Sequence, residues 1–269
     1  MHRFFVQPGA IGEQEARIGG EVARQISRVL RMQQGDEICL LDGLGYEYLV
    51  RLLAVGANEC VGRVIEKAKG GGESRCKLTL YISLLNKADK FEGALQKCTE
   101  LGAARFVPVR SARSISDTPG RSKIERWERI IQEAAEQSGR AIIPLLAEST
   151  TLQAAFQEQR AALREAPEGE HLALIPALGA QQTLKGALQG ARQASTLAII
   201  IGPEGGFTPD EVEDARAAGV EAVTLGPRTL RAETAAVAAL TMALYELGEM
   251  ESLENVGQLR EELEDKGQT

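Results

Sequence analysis

The sequence is poor in aromatic side chains, in histidine and in long apolar runs. Phe, Trp and Tyr together make up 4% of the chain, so any core must be built from aliphatic residues. There are two histidines, His2 and His171, and four cysteines, Cys39, Cys60, Cys76 and Cys98. No two of them stand at metal-ligand spacing, so no metal site is expected and the thiols read as free and cytosolic. No apolar run approaches the roughly 18 residues of a membrane span. The start, Met1-His2-Arg3-Phe4-Phe5, has neither a long apolar stretch nor a small-residue cleavage site. Neither a signal peptide nor a membrane segment is therefore expected, and the chain reads as cytoplasmic.

What is present is 269 residues of 43% hydrophobic composition, enough for one large domain or two modest ones. The net charge of −7 argues at first against a nucleic-acid partner. Its distribution argues otherwise. Residues 246 to 269 hold eight acids and two bases, which leaves about −1 for the rest of the chain. Residues 105 to 140 contain eight bases and five acids, and residues 1 to 35 contain five arginines and three glutamates. Local basic faces are thus possible, and local potential steers a polyanion more than total charge does.

Two regions follow different periodicities. In "GDEICLLDGLGYEYLVRLLAVGANECVGRVIEK", short alternating segments separated by glycine turns predict a small antiparallel barrel. Before it, "EVARQISRVLRM" has helical spacing, with Val22, Ile26 and Val29/Leu30 on one side. Arg24, Arg28 and Arg31 then share another face, either a solvated charged face or a phosphate-contacting one. "KGGGES", residues 69 to 74, reads as a flexible linker. The boundaries expected are a domain over 1–72, a second over 73–250 and an acidic tail over 251–269.

From residue 75 onward strands and helices alternate, which predicts a parallel α/β sheet. "KLTLYISLL", "RFVPVRS", "AIIPLLA", "HLALIPAL" and "TLAIIIG" read as strands. "KFEGALQKCTELG" reads as a helix stopped by Gly102, and "KIERWERIIQEAAEQSG" as a helix with Trp127, Ile130, Ile131, Ala134 and Ala135 inward. In such sheets ligands bind beyond the carboxyl ends of the strands. Two loops there carry unusual chemistry. "IIIGPEGGF" ends a buried strand at Gly202, with Pro203 to stiffen the turn, and Gly202, Gly205 and Gly206 to admit unusual backbone angles and close approach. Thr208-Pro209-Asp210-Glu211 spells a capping box that starts the next helix. "VTLGPRTLRAETAAVAALTMALYELG" then repeats the pattern of strand, glycine, loop and helix, with Arg228 and Arg231 in the loop.

The stretch "IGPEGGFTPDEVEDARAAGVEAVTLGPRTLRAETAAVAAL" closely resembles the C-terminal signature of the ribosomal small subunit methyltransferase E family. "RQISRVLRMQQGD", "LLDGLGYEYLV", "KADKFEGALQKCTELGAARFVPV" and "RWERIIQEAAEQSGRAIIP" resemble further motifs of that family, in order along the chain. Two departures occur in "LGPRTLRAET": Thr229 stands where an aliphatic residue is common, and Ala232 where Thr is common. The tail after about residue 250 lies outside the pattern.

The resemblance implies a SPOUT-type α/β methyltransferase with a C-terminal trefoil knot, preceded by a PUA-like RNA-binding barrel. It implies S-adenosylmethionine as cofactor, held by backbone groups of the knot loops. The positions implied are Leu174 and Pro176, then Ile201, Gly202, Pro203, Glu204 and Gly205, then Leu225, Gly226, Leu230, Arg231, Thr234 and Ala235. It implies N3-methylation of a uracil in the 16S rRNA of the small ribosomal subunit, by a homodimer built through the knot domain. Neutral uracil N3 is a poor nucleophile, so its proton must leave and the resulting anion needs a nearby positive charge. Arg231 and Arg228 are the candidates for that charge. Glu204 and Glu233 are candidate bases, and either could equally cap backbone amides. RNA contacts are expected from Arg3, Arg24, Arg28, Arg31, Arg110 and Arg113. A SPOUT enzyme acting on another RNA nucleotide, and a non-catalytic ribosome-assembly clamp, remain as alternatives.

Overall fold

The computed structural model describes residues 1–114 and 118–250; the acidic tail over 251–269 lies outside the described residues. Contacts divide the chain into two compact units, Met1–Glu73 with Ala135–Ile143, and Ser74–Ala134 with the described residues from Pro144 onward.

The first unit contains β1 (Arg3–Phe5), β2 (Glu15–Gly19), a short helix α1 (Gly20–Arg24), β3 (Glu37–Leu41), β4 (Tyr46–Val55) and β5 (Glu59–Lys69). They form a curled five-stranded sheet in the order β1-β3-β4-β5-β2. Every pair is antiparallel except β1 on β3, which is parallel. Two register shifts between β4 and β5 mark bulges, which bend and twist a strand pair. Gly62 lies at this bend, where a Cβ would sit 2.3 Å from Val50 Cγ1. Phe4, Ile18, Ile26, Ile38, Leu40 and Leu52 fill the concave side.

Two features of this unit differ from expectation. After α1 the helix widens into a π turn over Gln25–Val29, with Leu30 N–H donating to Gln25 O. Ile26 stays fully buried, but Val29 is 73% exposed. Arg31 leaves the helix in the left-handed region, at φ +54°. Arg24, Arg28 and Arg31 are all exposed, yet they do not continue one helical face. The second difference is the glycine segment after β5, which is packed rather than flexible. A Cβ on Gly70 would lie 2.1 Å from Ala141 Cβ, and Glu73 holds the buried Arg140 guanidinium through bonds of 2.6 and 3.2 Å. Its glycines serve close approach, not slack.

The second unit contains β6 (Lys77–Ser83), α2 (Ala88–Leu101), β7 (Arg105–Arg110), α3 (Arg121–Ser138, its last turn in the first unit), β8 (Leu145–Leu146), β9 (Thr150–Thr151), α4 (Leu152–Glu165), β10 (His171–Pro176), β11 (Gln182–Thr183), α5 (Leu184–Gly190), β12 (Thr196–Ile201), α6 (Pro209–Ala217), β13 (Glu221–Thr224) and α7 (Ala232–Glu246). The sheet runs β11-β13-β10-β12-β6-β7-β8, with β9 also on β7, and all its pairs are parallel. Gly102 caps α2 at φ +109°. Trp127 of α3 is fully buried and stacks on Phe91 of α2 at 4.4 Å between ring centroids. Small residues on α7 let it pack against α2, α5 and β12. The segment "AIIPLLA" is not one strand. Only Leu145–Leu146 pairs in this sheet, while Ile142 bridges Leu44 in the first unit. Pro144 between them has no N–H to offer a ladder.

At the amino ends of β10 and β12 lies a polar chain that the sequence did not announce. Gln159 Nε2 donates to Tyr81 Oη at 2.7 Å, and His171 Nε2 lies 3.1 Å from Gln159 Oε1. His171 Nδ1 lies 2.8 Å from Thr196 Oγ1. An amide oxygen only accepts, so Nε2 carries the ring proton and Nδ1 accepts from Thr196. Burial lowers the His171 pKa from its ordinary 6.5. The unfolded chain therefore binds more protons than the folded one in mild acid, and stability present at neutral pH is lost as pH falls below about 6.5. A His171→Gln variant should show a flatter fall in its urea midpoint between about pH 7 and about pH 5 than the unaltered protein. Identical pH profiles for the two would remove His171 as a source of acid sensitivity.

Candidate active site

Strands β12, β10 and β13 are neighbours, and they end together at Ile201, Pro176 and Thr224. Three loops leave their carboxyl ends: 177–181, 202–208 and 225–231. They enclose a cavity of about 440 Å³. That size falls within the range of small-molecule sites. Apolar walls come from Pro176, Ile201, Phe207, Leu225, Leu230 and Ala235. Charge comes from Glu204, Arg113, Arg216 and Arg228.

The middle loop is held by its own sequence. Gly206 N–H donates to Pro203 O at 2.9 Å, closing a turn, and Gly206 follows at φ +66°. Thr208 caps α6 by accepting from Glu211 N–H at 3.1 Å, and the Glu211 carboxylate returns the bond to Thr208 N–H at 2.8 Å. The capping box expected from the sequence is therefore present. Of the loop's three glycines only Gly206 has a positive φ. At Gly202 a Cβ would meet the Phe207 ring at 3.0 to 3.2 Å, and at Gly205 the Arg113 side chain at 3.3 Å. Those two glycines answer a need for space, not for unusual angles.

Most residues expected at a cofactor site line this cavity: Pro176, Ile201, Gly202, Pro203, Glu204, Gly205, Leu225, Gly226, Leu230 and Ala235. Leu174 is fully buried inside β10. Arg231 and Thr234 are exposed and lie outside the lining set, Arg231 as the N-cap residue of α7. Phe207, Thr224 and Leu178 line it as well and were missed. Leu178 had a readable signal, since it is a large apolar residue two positions beyond a strand end, and it is 83% exposed.

The candidate catalytic groups divide into engaged and free. Glu204 Oε1 accepts from Asn86 N–H at 3.2 Å. Glu233 Oε1 lies 3.5 Å from Lys90 Nζ. Among the described residues, neither Arg228 nor Arg231 has an ion-pair or hydrogen-bond partner for its guanidinium. Of the arginines expected at RNA, Arg24, Arg28, Arg31 and Arg110 are exposed and likewise unpaired among the described residues. Arg3 is committed to the buried Glu47 carboxylate. Arg113 donates to carbonyls of the 202–208 loop and lines the cavity. Among the described residues, no group of three or more His, Cys, Asp or Glu could hold a metal ion, and no helix is long and apolar enough to cross a membrane.

Residues 72–244 match the RNA methyltransferase domain family, and residues 18–65 match the RNA methyltransferase PUA domain. The ribosomal RNA small subunit methyltransferase E of Bacillus subtilis is 35% identical over 91% of this chain and 97% of its own length. The chain belongs to the ribosomal RNA small subunit methyltransferase E family. The Synechocystis member is 36% identical over 89% of this chain and 76% of its own length. The crystal structure of the family member from Neisseria gonorrhoeae bound to S-adenosyl methionine superposes with a TM-score of 0.79 at 30% identity, covering 91% of this chain and 97% of that one. In this chain the cavity fits such a cofactor. Its glycines bring bare backbone to the wall, its apolar residues can flank a purine, and its size suits a nucleoside.

Proposed function

We infer that this protein transfers a methyl group from S-adenosylmethionine to N3 of one uridine in the 16S rRNA of the small ribosomal subunit. The observation that carries this reading is the convergence of three loops from adjacent parallel strands on one cavity, in a chain of this family. S-adenosylmethionine supplies an electrophilic methyl group on a sulfonium. Backbone groups at Gly202, Pro203, Leu225 and Leu230 would hold the adenine, and Pro176 and Ile201 would pack beneath it. Arg231, with Arg228 in the same loop, would face the uracil and stabilise the charge left on O2 and O4 when N3 loses its proton. Glu204 stands closest to a base role: Asn86 N–H holds one oxygen, and among the described residues the other has no hydrogen-bond partner. A knotted C-terminal segment, a homodimer through the methyltransferase unit and a cytoplasmic location belong to the same reading. A calorimetric titration tests it, with saturable S-adenosylmethionine binding expected. Absence of binding by folded protein would favour a non-catalytic RNA clamp.

RNA would reach the first unit through Arg24 and Arg28, which are exposed and unpaired among the described residues. An Arg28→Ala variant should bind RNA more weakly with unchanged cofactor affinity. The slope of log affinity against log salt should fall by roughly 0.7 to 0.9 for one lost phosphate contact. An unchanged slope would mark Arg28 as a merely solvated residue.

A further inference from the structure

We propose that Arg113 is a positioning residue for the cofactor loop, and that it fastens the turn after β7 to that loop. The proposal rests on the reading of residues 202–208 as part of the cofactor site. Arg113 Nη1 donates to Gly205 O at 2.8 Å and lies 3.5 Å from Phe207 O. The aliphatic part of the same side chain covers Gly205, where an added Cβ would meet Arg113 Cδ at 3.3 Å and Cβ at 3.4 Å. One residue earlier, Ala112 N–H donates to Glu211 Oε1 at 2.7 Å.

These bonds pin two peptide planes from both sides. In the plane joining Gly205 to Gly206, the carbonyl accepts from Arg113 and the N–H donates to Pro203 O. In the plane joining Phe207 to Thr208, the carbonyl faces Arg113 and the N–H donates to Glu211 Oε2. A planar peptide held at both its oxygen and its nitrogen cannot rotate without breaking a bond. Glu211 closes the arrangement, since its two oxygens serve Ala112 on one turn and Thr208 on the other. The turn after β7 is itself braced, with Ser111 N–H and Oγ each 3.0 Å from Ser114 Oγ. A glycine-rich loop of this kind would otherwise lose much conformational freedom on binding, and holding it in place beforehand removes that cost.

The arrangement makes a different demand on Arg113 than RNA binding would. A phosphate contact would change RNA affinity and its salt slope. A loop anchor changes cofactor affinity. An Arg113→Ala variant should lose about tenfold in S-adenosylmethionine affinity by calorimetry. Its KM for the cofactor should rise while kcat changes by less than about twofold, because no reacting atom is touched. RNA affinity and salt slope without cofactor should stay unchanged. An Arg113→Lys variant keeps one donor but loses the fork, so its affinity should lie between the two. Circular dichroism and the urea midpoint report folding independently. Cofactor affinity within twofold of the unaltered protein would overturn the proposal. So would a fall in RNA affinity alone, or a parallel fall in both. If the unaltered protein bound no cofactor, the reading of the site would fail, which is a separate outcome.

Discussion

A Gly202→Val variant is expected to bind S-adenosylmethionine about thirtyfold more weakly, roughly 2 kcal/mol, in the middle of the range for overpacking a filled site. Gly202 follows the last residue of β12 and lines the cavity. Its φ is not positive, so a side chain is not barred by backbone angle. The obstacle is Phe207, whose ring a Cβ would meet at 3.0 Å. Phe207 packs on the core that contains Ile175 and Ile200, so the ring has little room to retreat. The loop cannot easily move either, because Pro203 O, Arg113 and Glu211 fix its peptides. Valine must therefore displace either the ring or the cavity wall. A Gly202→Ala variant should fall between, since one methyl asks the ring to give only a few tenths of an ångström. Calorimetry reads the affinity and circular dichroism the fold. Near-normal affinity in a folded Gly202→Val protein would remove Gly202 from the cofactor site.

An Arg231→Ala variant is expected to lose about a hundredfold in kcat, the usual cost of removing one charge-stabilising donor at a reacting anion. Arg231 stands at the start of α7, where the positive end of the helix dipole adds to its own charge. Its guanidinium has no partner among the described residues, so no structural bond is lost on truncation. KM for the cofactor should change little, because the side chain lies outside the cavity lining. Raising the pH should restore part of the rate by increasing the fraction of deprotonated uracil. An Arg231→Lys variant should recover some activity as a point charge without the fork. An Arg231→Ala protein with normal kcat would move the role to Arg228 or away from this loop.

Most of the strand and helix pattern of the second unit was legible because its longer elements carry local signals. Gly102 stops α2, Thr208 and Glu211 start α6, and apolar runs mark β10 and β12. What escaped the sequence depends on partners distant along the chain. Gly70 and Gly72 read as slack because nothing local announces Ala141 or Arg140 against them. The π turn after α1 keeps Ile26 buried while turning Val29 out to solvent, and residue spacing does not report that. Arg113 is expected at RNA from the sequence, and its place on Gly205, which follows from the order β12-β6-β7 in the sheet, has no local signal. The turn at residues 202–208 was recognisable, since its glycines, its proline and its capping box are local, whereas a cofactor in these loops was implied by the family resemblance. For the carboxylates the sequence left a base role and an amide-capping role open; Glu204 does accept from the Asn86 N–H, and Lys90 stands beside Glu233, though which partner each meets is set only by the fold.

The most direct measurement incubates the full protein with unmodified small ribosomal subunits and methyl-deuterated S-adenosylmethionine, then maps the rRNA by mass spectrometry. One deuterated methyl group at N3 of a single uridine in 16S rRNA is the result this account predicts. No incorporation, or incorporation at a ribose or at another base, would contradict it.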